Sequence, residues 1–268
     1  MPQVAEKTTT DENALAKRVL AHWQRELASV TVVDEPFQHF YSDRIWPPEV
    51  YEEMLRLLPP HGVYHPMNLK VWVNAQGVST RDRCFLPEVL ERMDVERAEF
   101  WRQIWLALTA DSLRHSLFCL LKKDVASRLK LPEEEVADTP AFVTFSMTRD
   151  IEDYRIEPHP DGWPAIVTAQ FYLPADTTQQ DLGTSFYAEV PRLKRPLLGQ
   201  HREVKRMPFL PNSGYVFAVN DLPGRRSLHG RELIKPGASV RHTILMRWST
   251  RDSGRKRGQV GSSTHHLF

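Results

Sequence analysis

Apolar residues recur at helical spacing in the first half of the chain, whereas in the second half they form short runs or alternate with polar residues. A helix is predicted over residues 11–28, because apolar side chains recur there every three or four positions: Ala16, Val19, Leu20, Trp23 and Leu27. A second helix is predicted over residues 48–58, where Pro48 fits the first turn. Residues 101–121 are predicted to form a long helical region whose tryptophans pack in the core.

From residue 141 onward the pattern predicts strands. These segments are rich in β-branched and aromatic residues, and turn-forming segments separate them: 142–148, 165–173, 184–190, 215–220 and 240–248. Several short strands with long connections suit a double-stranded β-helix, a jelly roll of the cupin type. The predicted fold class is therefore α+β, with the N-terminal helices bracing one outer sheet.

Shorter segments give weaker patterns. Residues 30–33 and 70–73 are predicted to be short strands, residues 85–93 a short helix, and residues 131–135 a helical turn. The basic segment 191–208 is predicted to be a solvated loop.

The length of 268 residues permits one sizeable core. Residues 1–30 are predicted to be an N-terminal helical extension, and residues 31–250 a single domain. Within that domain, residues 31–140 would give helical support and residues 141–250 the jelly-roll core. Residues 251–268, rich in Gly, Ser and basic side chains, are predicted to be a flexible tail.

A His-x-Asp triplet, His159-Pro160-Asp161, precedes the predicted strand 165–173. With 11 His and 34 acidic residues, about 1.4 such His-x-Asp/Glu triplets are expected by composition, and two occur. The other, His201–Glu203, lies in the basic segment and is interpreted as incidental. In extended chain, residues two apart point to the same side, so His159 and Asp161 can reach one metal ion.

His229 follows Asp161 by 68 residues and supplies a second imidazole. Two imidazoles and one carboxylate on one face of an octahedral ion leave three positions open, as in non-haem Fe(II) oxygenases. Arg241 lies twelve residues beyond His229, and Thr243 follows two residues later. Alternation along a predicted strand places both side chains on one face. A guanidinium with a neighbouring hydroxyl is suited to binding a carboxylate.

This order of motifs resembles the 2-oxoglutarate/Fe(II)-dependent oxygenase superfamily, especially its prolyl-hydroxylase-like branch, over about residues 32–249. The resemblance implies Fe(II) held by His159, Asp161 and His229, with 2-oxoglutarate and O₂ as co-substrates. It implies that Arg241 and Thr243 hold the distal carboxylate of 2-oxoglutarate. Tyr172 matches a family tyrosine with a similar role. The implied enzyme is a dioxygenase that oxidises an unactivated C–H bond, typically by hydroxylation, and releases succinate and CO₂.

The substrate is predicted to be a small molecule, such as an amino acid or a natural-product intermediate, because no protein-binding module is evident. Loop residues that could contact it are Trp163, Arg155 and Arg225. Three alternatives stay open at this point: a protein side-chain hydroxylase of the prolyl type, a non-catalytic cupin-like metal-binding protein, and a structural zinc site with four protein ligands. His242 would be the nearest fourth ligand, although strand alternation points it away from the face of Arg241.

Composition excludes few classes of protein. A net charge of +1 gives no general attraction to nucleic acid or to a membrane, and no apolar run approaches the ~20 residues of a spanning helix. Residues 1–12 lack the apolar region of a signal peptide. Of two cysteines, Cys119 is predicted to be a buried reduced thiol, which fits a cytoplasmic protein. The sequence leaves the oligomeric state open.

Overall fold

Helices dominate the first half of the computed structural model, which describes residues 12–251. They are α1 (Ala14–Ser29), α2 (Pro48–Arg56), α3 (Val95–Leu108), α4 (Asp111–Leu120) and α5 (Lys122–Leu129). A single helical turn, α6 (Arg195–Leu198), lies in the second half. The two predicted helices at 11–28 and 48–58 are confirmed. The predicted long helical region is divided between α3 and α4. Asp94 caps α3 by accepting a hydrogen bond from the backbone N–H of Arg97.

Eleven strands lie within the described residues. They are β1 (His39–Ser42), β2 (His65–Pro66), β3 (Arg81–Leu86), β4 (Phe142–Asp150), β5 (Ile156–His159), β6 (Ala165–Tyr172), β7 (Thr184–Glu189), β8 (His201–Met207), β9 (Gly214–Ala218), β10 (His229–Arg231) and β11 (Arg241–Ser249). The major sheet has the order β1-β9-β6-β11-β4-β3-β2, and the minor sheet has the order β5-β10-β7-β8.

From β4 onward the chain passes back and forth between the two sheets, and every pairing in them is antiparallel. Strands β4, β11, β6 and β9 of the major sheet face β5, β10, β7 and β8 of the minor sheet. This topology is a double-stranded β-helix, so the predicted fold class is confirmed.

The central strand β6 is buried along its whole length, because it has a core on each side. Val167, Ala169 and Phe171 face the helices, and the ring of Phe171 lies 5.2 Å from Trp23 of α1. Full burial of each such large apolar side chain contributes about 1.5–3 kcal/mol. The alternate residues, among them Thr168 and Gln170, face the minor sheet. One strand therefore separates an apolar core from a polar interior.

Three short predictions in the first half were wrong. Residues 70–73 contain the 3₁₀ turn Lys70–Trp72 instead of a strand, and residues 30–33 contribute only an isolated bridge from Val33 to His39. Residues 85–93 complete β3 and then form the 3₁₀ turn Leu90–Arg92. The strand β3 was missed because its interior face carries Arg81 and Arg83, which break the apolar pattern.

The prediction of a loop over the basic segment 191–208 was also wrong, since residues His201–Met207 form β8. This strand lies at the edge of the minor sheet and pairs only with β7. Edge strands commonly carry charged side chains, which disfavour pairing with other chains. Its composition therefore resembles that of a loop.

Cys119 is exposed, contrary to the prediction. The buried face of α4 is formed by Leu113, Leu117 and Phe118, and the turn of the helix places Cys119 outside that face.

Within residues 12–251, no helix combines the length and the apolar character that crossing a membrane requires. The predicted flexible tail lies outside the described residues except for Arg251.

Candidate metal centre and cavity

The structure brings together the three predicted metal ligands. His159 ends β5 and pairs directly with His229 on β10, and Asp161 follows two residues later. The two imidazole rings are 4.4 Å apart at their centroids, and the ligand atoms of all three residues lie within 4.8 Å of one another. Among residues 12–251 this is the one such cluster of metal-ligating side chains.

Both imidazoles are oriented by backbone carbonyls. Nδ1 of His159 donates to the Glu157 carbonyl and Nδ1 of His229 donates to the Ser227 carbonyl, each at 2.9 Å. Each hydrogen bond places the ring proton on Nδ1 and leaves Nε2 with a free lone pair. Burial lowers the pKa of His229 to about 4, so this imidazole is neutral near pH 7. Imidazoles with free Nε2 atoms fit a divalent metal ion.

The carboxylate of Asp161 is buried and held from two sides. Its Oδ2 accepts a hydrogen bond from Thr168 Oγ1 at 2.6 Å, and its Oδ1 pairs with Arg247 at 2.8 Å. Burial alone raises the pKa of Asp161, but His229, Arg247 and Thr168 together lower it below its usual value. Asp161 is therefore ionised near pH 7 and can act as a metal ligand. With three ligands and His242 outside the cluster, the described residues do not form a closed four-ligand zinc shell.

A cavity of about 130 Å³ opens beside this cluster, between the two sheets. Thr168, Gln170, Thr184 and Tyr215 contribute hydroxyl and amide groups to its wall. Its wall also contains five arginines: Arg81, Arg83, Arg231, Arg241 and Arg247. Such a wall favours an anionic occupant.

Arg241 lines the cavity and is 1 % exposed. Its Nε donates to the Leu182 carbonyl at 2.7 Å, and its Nη1 pairs with Asp150 Oδ2 at 2.8 Å. Its Nη2 donates to Thr184 Oγ1 at 3.1 Å and to Gln170 Oε1 at 3.3 Å. The guanidinium is thus fixed in position, and the carboxylate of Asp150 compensates its charge.

Asp150 is completely buried and also binds Arg81. Oδ1 accepts from Arg81 Nε at 2.6 Å, and Oδ2 accepts from Arg81 Nη2 at 2.9 Å. The Arg81 guanidinium in turn lies 4.1 Å from the ring centroid of Tyr154. One carboxylate therefore joins two arginines at the end of strands β3, β4 and β11.

The other two predicted co-substrate residues, Thr243 and Tyr172, lie behind the cavity wall. Thr243 Oγ1 is bonded to Thr148 Oγ1 at 2.7 Å. The hydroxyl of Tyr172 accepts from the Thr184 N–H at 2.9 Å and donates to the Met207 carbonyl at 3.3 Å. Both side chains are buried in protein contacts, so their contact with a co-substrate stays a prediction.

Sequence reasoning did not identify several lining residues. The hydroxyl of Tyr215 lines the cavity and donates to Gln170 Oε1 at 2.6 Å. Gln170 could have been found by alternation, since it shares a face of β6 with Thr168. Arg231 lines the cavity together with His229, but residues 229–231 were not predicted as a strand.

The three predicted substrate residues do not line the cavity. Arg225 binds Asp124 through Nε and Nη2, which holds it away from the cavity wall. Trp163 is 55 % exposed and packs beneath Arg128, while Arg155 is exposed beside Glu157. A substrate role for these residues stays a prediction that this geometry does not support.

Replacement of Gly230 with alanine is expected to weaken metal binding by about 10-fold or more. A Cβ on Gly230 would lie 2.7 Å from the Ile156 carbonyl oxygen of the neighbouring strand, so β10 would move away from β5 and separate His229 from His159. Such overpacking costs about 1–3 kcal/mol. Gly162→Ala is the matched control, because nothing lies within 4 Å of a Cβ there. Calorimetric titration with Mn(II) measures the effect, and equal affinities in the two variants would contradict it.

No family model matches the chain. No curated protein matches it.

Solved structures of similar fold were found. A prolyl-4-hydroxylase from Pseudomonas putida is 13 % identical with a TM-score of 0.49, covering 88 % of this chain and 99 % of its own. A Trichoplax adhaerens prolyl hydroxylase, in complex with a hypoxia inducible factor peptide, is 15 % identical with a TM-score of 0.48, covering 89 % and 90 %. An Arabidopsis thaliana dioxygenase for auxin oxidation, in complex with 2-oxoglutarate, is 14 % identical with a TM-score of 0.46, covering 89 % and 88 %.

All three structures are 15 % identical or less to this chain. Because the identities are low, the chemistry is inferred below from the site itself.

Proposed function

We propose that this protein is an Fe(II)- and 2-oxoglutarate-dependent dioxygenase. The observation that carries the proposal is the convergence of His159, Asp161 and His229 beside a cavity lined by arginines. Three protein ligands leave three positions of an octahedral ion for small molecules. When bound, iron and 2-oxoglutarate would supply the oxidation of a C–H bond by O₂, with release of succinate and CO₂.

The side chains of the site have separable tasks. His159 and His229 present Nε2 to the metal, and Thr168 with Arg247 fixes the orientation of Asp161. Arg241, held by four hydrogen bonds, provides a preorganised donor surface inside the cavity. The cavity lies between the two sheets and is lined by buried side chains such as Arg241 and Thr184, so each electrostatic contact with a bound anion is stronger than it would be in water.

The substrate we propose is a small molecule that is hydroxylated, such as an amino acid or a natural-product intermediate. The support is the form of the cavity, which is small and bounded by converging polar side chains. A peptide-directed hydroxylase is the competing outcome, and a panel that contains both small molecules and proline-containing peptides separates the two.

The proposal is tested on metal-free protein titrated with Fe(II) and 2-oxoglutarate without oxygen. We expect one iron and one 2-oxoglutarate per chain, with a visible charge-transfer absorption that requires both. Admission of O₂ is then expected to give succinate at a rate that rises with the correct substrate. Failure to bind either iron or 2-oxoglutarate would contradict the proposal, and binding without succinate from any substrate in the panel would indicate a non-catalytic binding protein.

A further inference from the structure

We infer that Arg231 is the charge partner of the distal carboxylate of 2-oxoglutarate; this inference rests on the proposed function. Arg231 lies on β10, two residues after His229, and lines the same cavity. It is 5 % exposed, yet its Nε and Nη1 have no hydrogen-bond partner among the described residues. A buried guanidinium in this state is rare, because buried charges are normally paired and hydrogen-bonded.

The surroundings of Arg231 do not compensate its charge well. The carboxylate of Glu232 is 3.9 Å from Nη1, beyond hydrogen-bond distance, and is 56 % exposed. Among the other charged neighbours, Arg241 and Arg206 repel it more strongly than Asp181 attracts it. An anion inside the cavity would relieve this repulsion and satisfy the unpartnered donors.

Arg241, which the sequence assigned to the distal carboxylate, is in a different electrostatic state. Asp150 compensates its charge, and hydrogen bonds to protein groups occupy four of its five N–H donors. Arg241 can therefore position a ligand, but it contributes less net positive charge than Arg231. The two arginines together would give the carboxylate one fixed donor surface and one uncompensated cation.

The position of Arg231 along its strand suits the length of the ligand. Residues two apart in a strand are separated by about 6.7 Å. The register against β5 shifts between His229 and Arg231, but both residues line the cavity. This spacing, from His229 at the metal to Arg231, is close to the length of an extended five-carbon diacid. A keto acid chelated at the metal would thus direct its far end toward Arg231.

The test compares two ligands in Arg231→Met and in the unchanged protein, both loaded with Mn(II). The ligands are 2-oxoglutarate and 2-oxopentanoate, which has the same five-carbon chain without the distal carboxylate. We expect Arg231→Met to weaken 2-oxoglutarate at least about 30-fold, as loss of a buried charge partner does, and to change 2-oxopentanoate less than about 3-fold. Arg231→Lys, which keeps the charge, is expected to recover part of the loss.

Arg206→Met is the matched control. Arg206 is a neighbouring cation on β8, but it is paired with Glu203 and Glu232 and does not line the cavity. This variant removes a cation near Arg231 but no residue of the cavity wall, so it is expected to change the affinity for either ligand far less than Arg231→Met changes that for 2-oxoglutarate. Arg231→Met is also expected to raise the melting temperature of the ligand-free protein, because it removes an uncompensated buried charge; this measurement shows that the variant is folded.

Two outcomes would overturn the inference. One is unchanged affinity of Arg231→Met for 2-oxoglutarate, which would assign Arg231 to an anionic group of the substrate or to structure alone. The other is an equal loss for both ligands, which would indicate a general disturbance of the cavity. Since the unchanged protein is measured in parallel, failure of the proposed function would be recognised separately, by the absence of metal or 2-oxoglutarate binding in that protein.

Discussion

Replacement of His159 with alanine is expected to weaken Fe(II) binding by more than 100-fold and to abolish Fe-dependent succinate formation. His159 supplies one of three protein ligands, and loss of a group that merely orients a ligand already costs about 10–100-fold. The fold should persist, since the side chain lies at the end of β5 and is only partly buried. Metal content after dialysis, together with far-UV circular dichroism, measures both effects.

His201→Ala is the matched control for this experiment. His201 belongs to the other His-x-Asp/Glu triplet of the chain and begins the edge strand β8, away from the cavity. We expect it to keep full metal content and full activity. Retention of iron and turnover by His159→Ala, or equal losses in the two variants, would show that the metal centre has been assigned to the wrong residues.

Replacement of Asp150 with asparagine is expected to lower the free energy of unfolding by about 3–5 kcal/mol. The carboxylate is completely buried and binds both Arg81 and Arg241, so its neutralisation leaves two guanidinium groups without their counter-charge. Because typical domains unfold at a cost of about 5–15 kcal/mol, the loss is a large fraction of the total. Urea denaturation of the metal-free protein measures it.

Asp34→Asn provides the comparison for Asp150→Asn. Asp34 also pairs with a cation, Lys123 at 2.9 Å, but both side chains are about half exposed. Exposed pairs contribute about 0–1 kcal/mol, so this variant should unfold close to the urea concentration of the unchanged protein. A similarly small effect of Asp150→Asn would mean that the two arginines find other partners or are reached by water.

The central strands of the fold could be predicted from the sequence because at least one face of each strand is apolar. Strands β4, β6 and β11 pack on the helices through residues such as Phe145, Phe171 and Trp248, and these give clear runs. Strands β5, β8 and β10 could not be predicted in this way. They are short or lie at an edge, and their stability depends on pairing with strands distant in sequence.

The residues of the candidate site also differ in whether the sequence alone identifies them. His159, Asp161 and His229 were identified because metal ligation demands particular residue types at a recognisable spacing. Asp150 and Arg231 were not identified, because what distinguishes them is the partner that each has or lacks after folding. The local sequence pattern does not show that the charge of one arginine is compensated by a buried carboxylate while that of another is not.

The strand β10 has only three residues, and it carries His229 at one end and Arg231 at the other. If the roles proposed above are right, both anchoring residues belong to one short piece of strand, joined to β5 on one side and to β7 on the other. A substitution that shifts this piece therefore alters affinity for the ion and for the organic acid together. Evolution of either affinity alone must act through the facing walls, at positions such as Thr168 or Arg241.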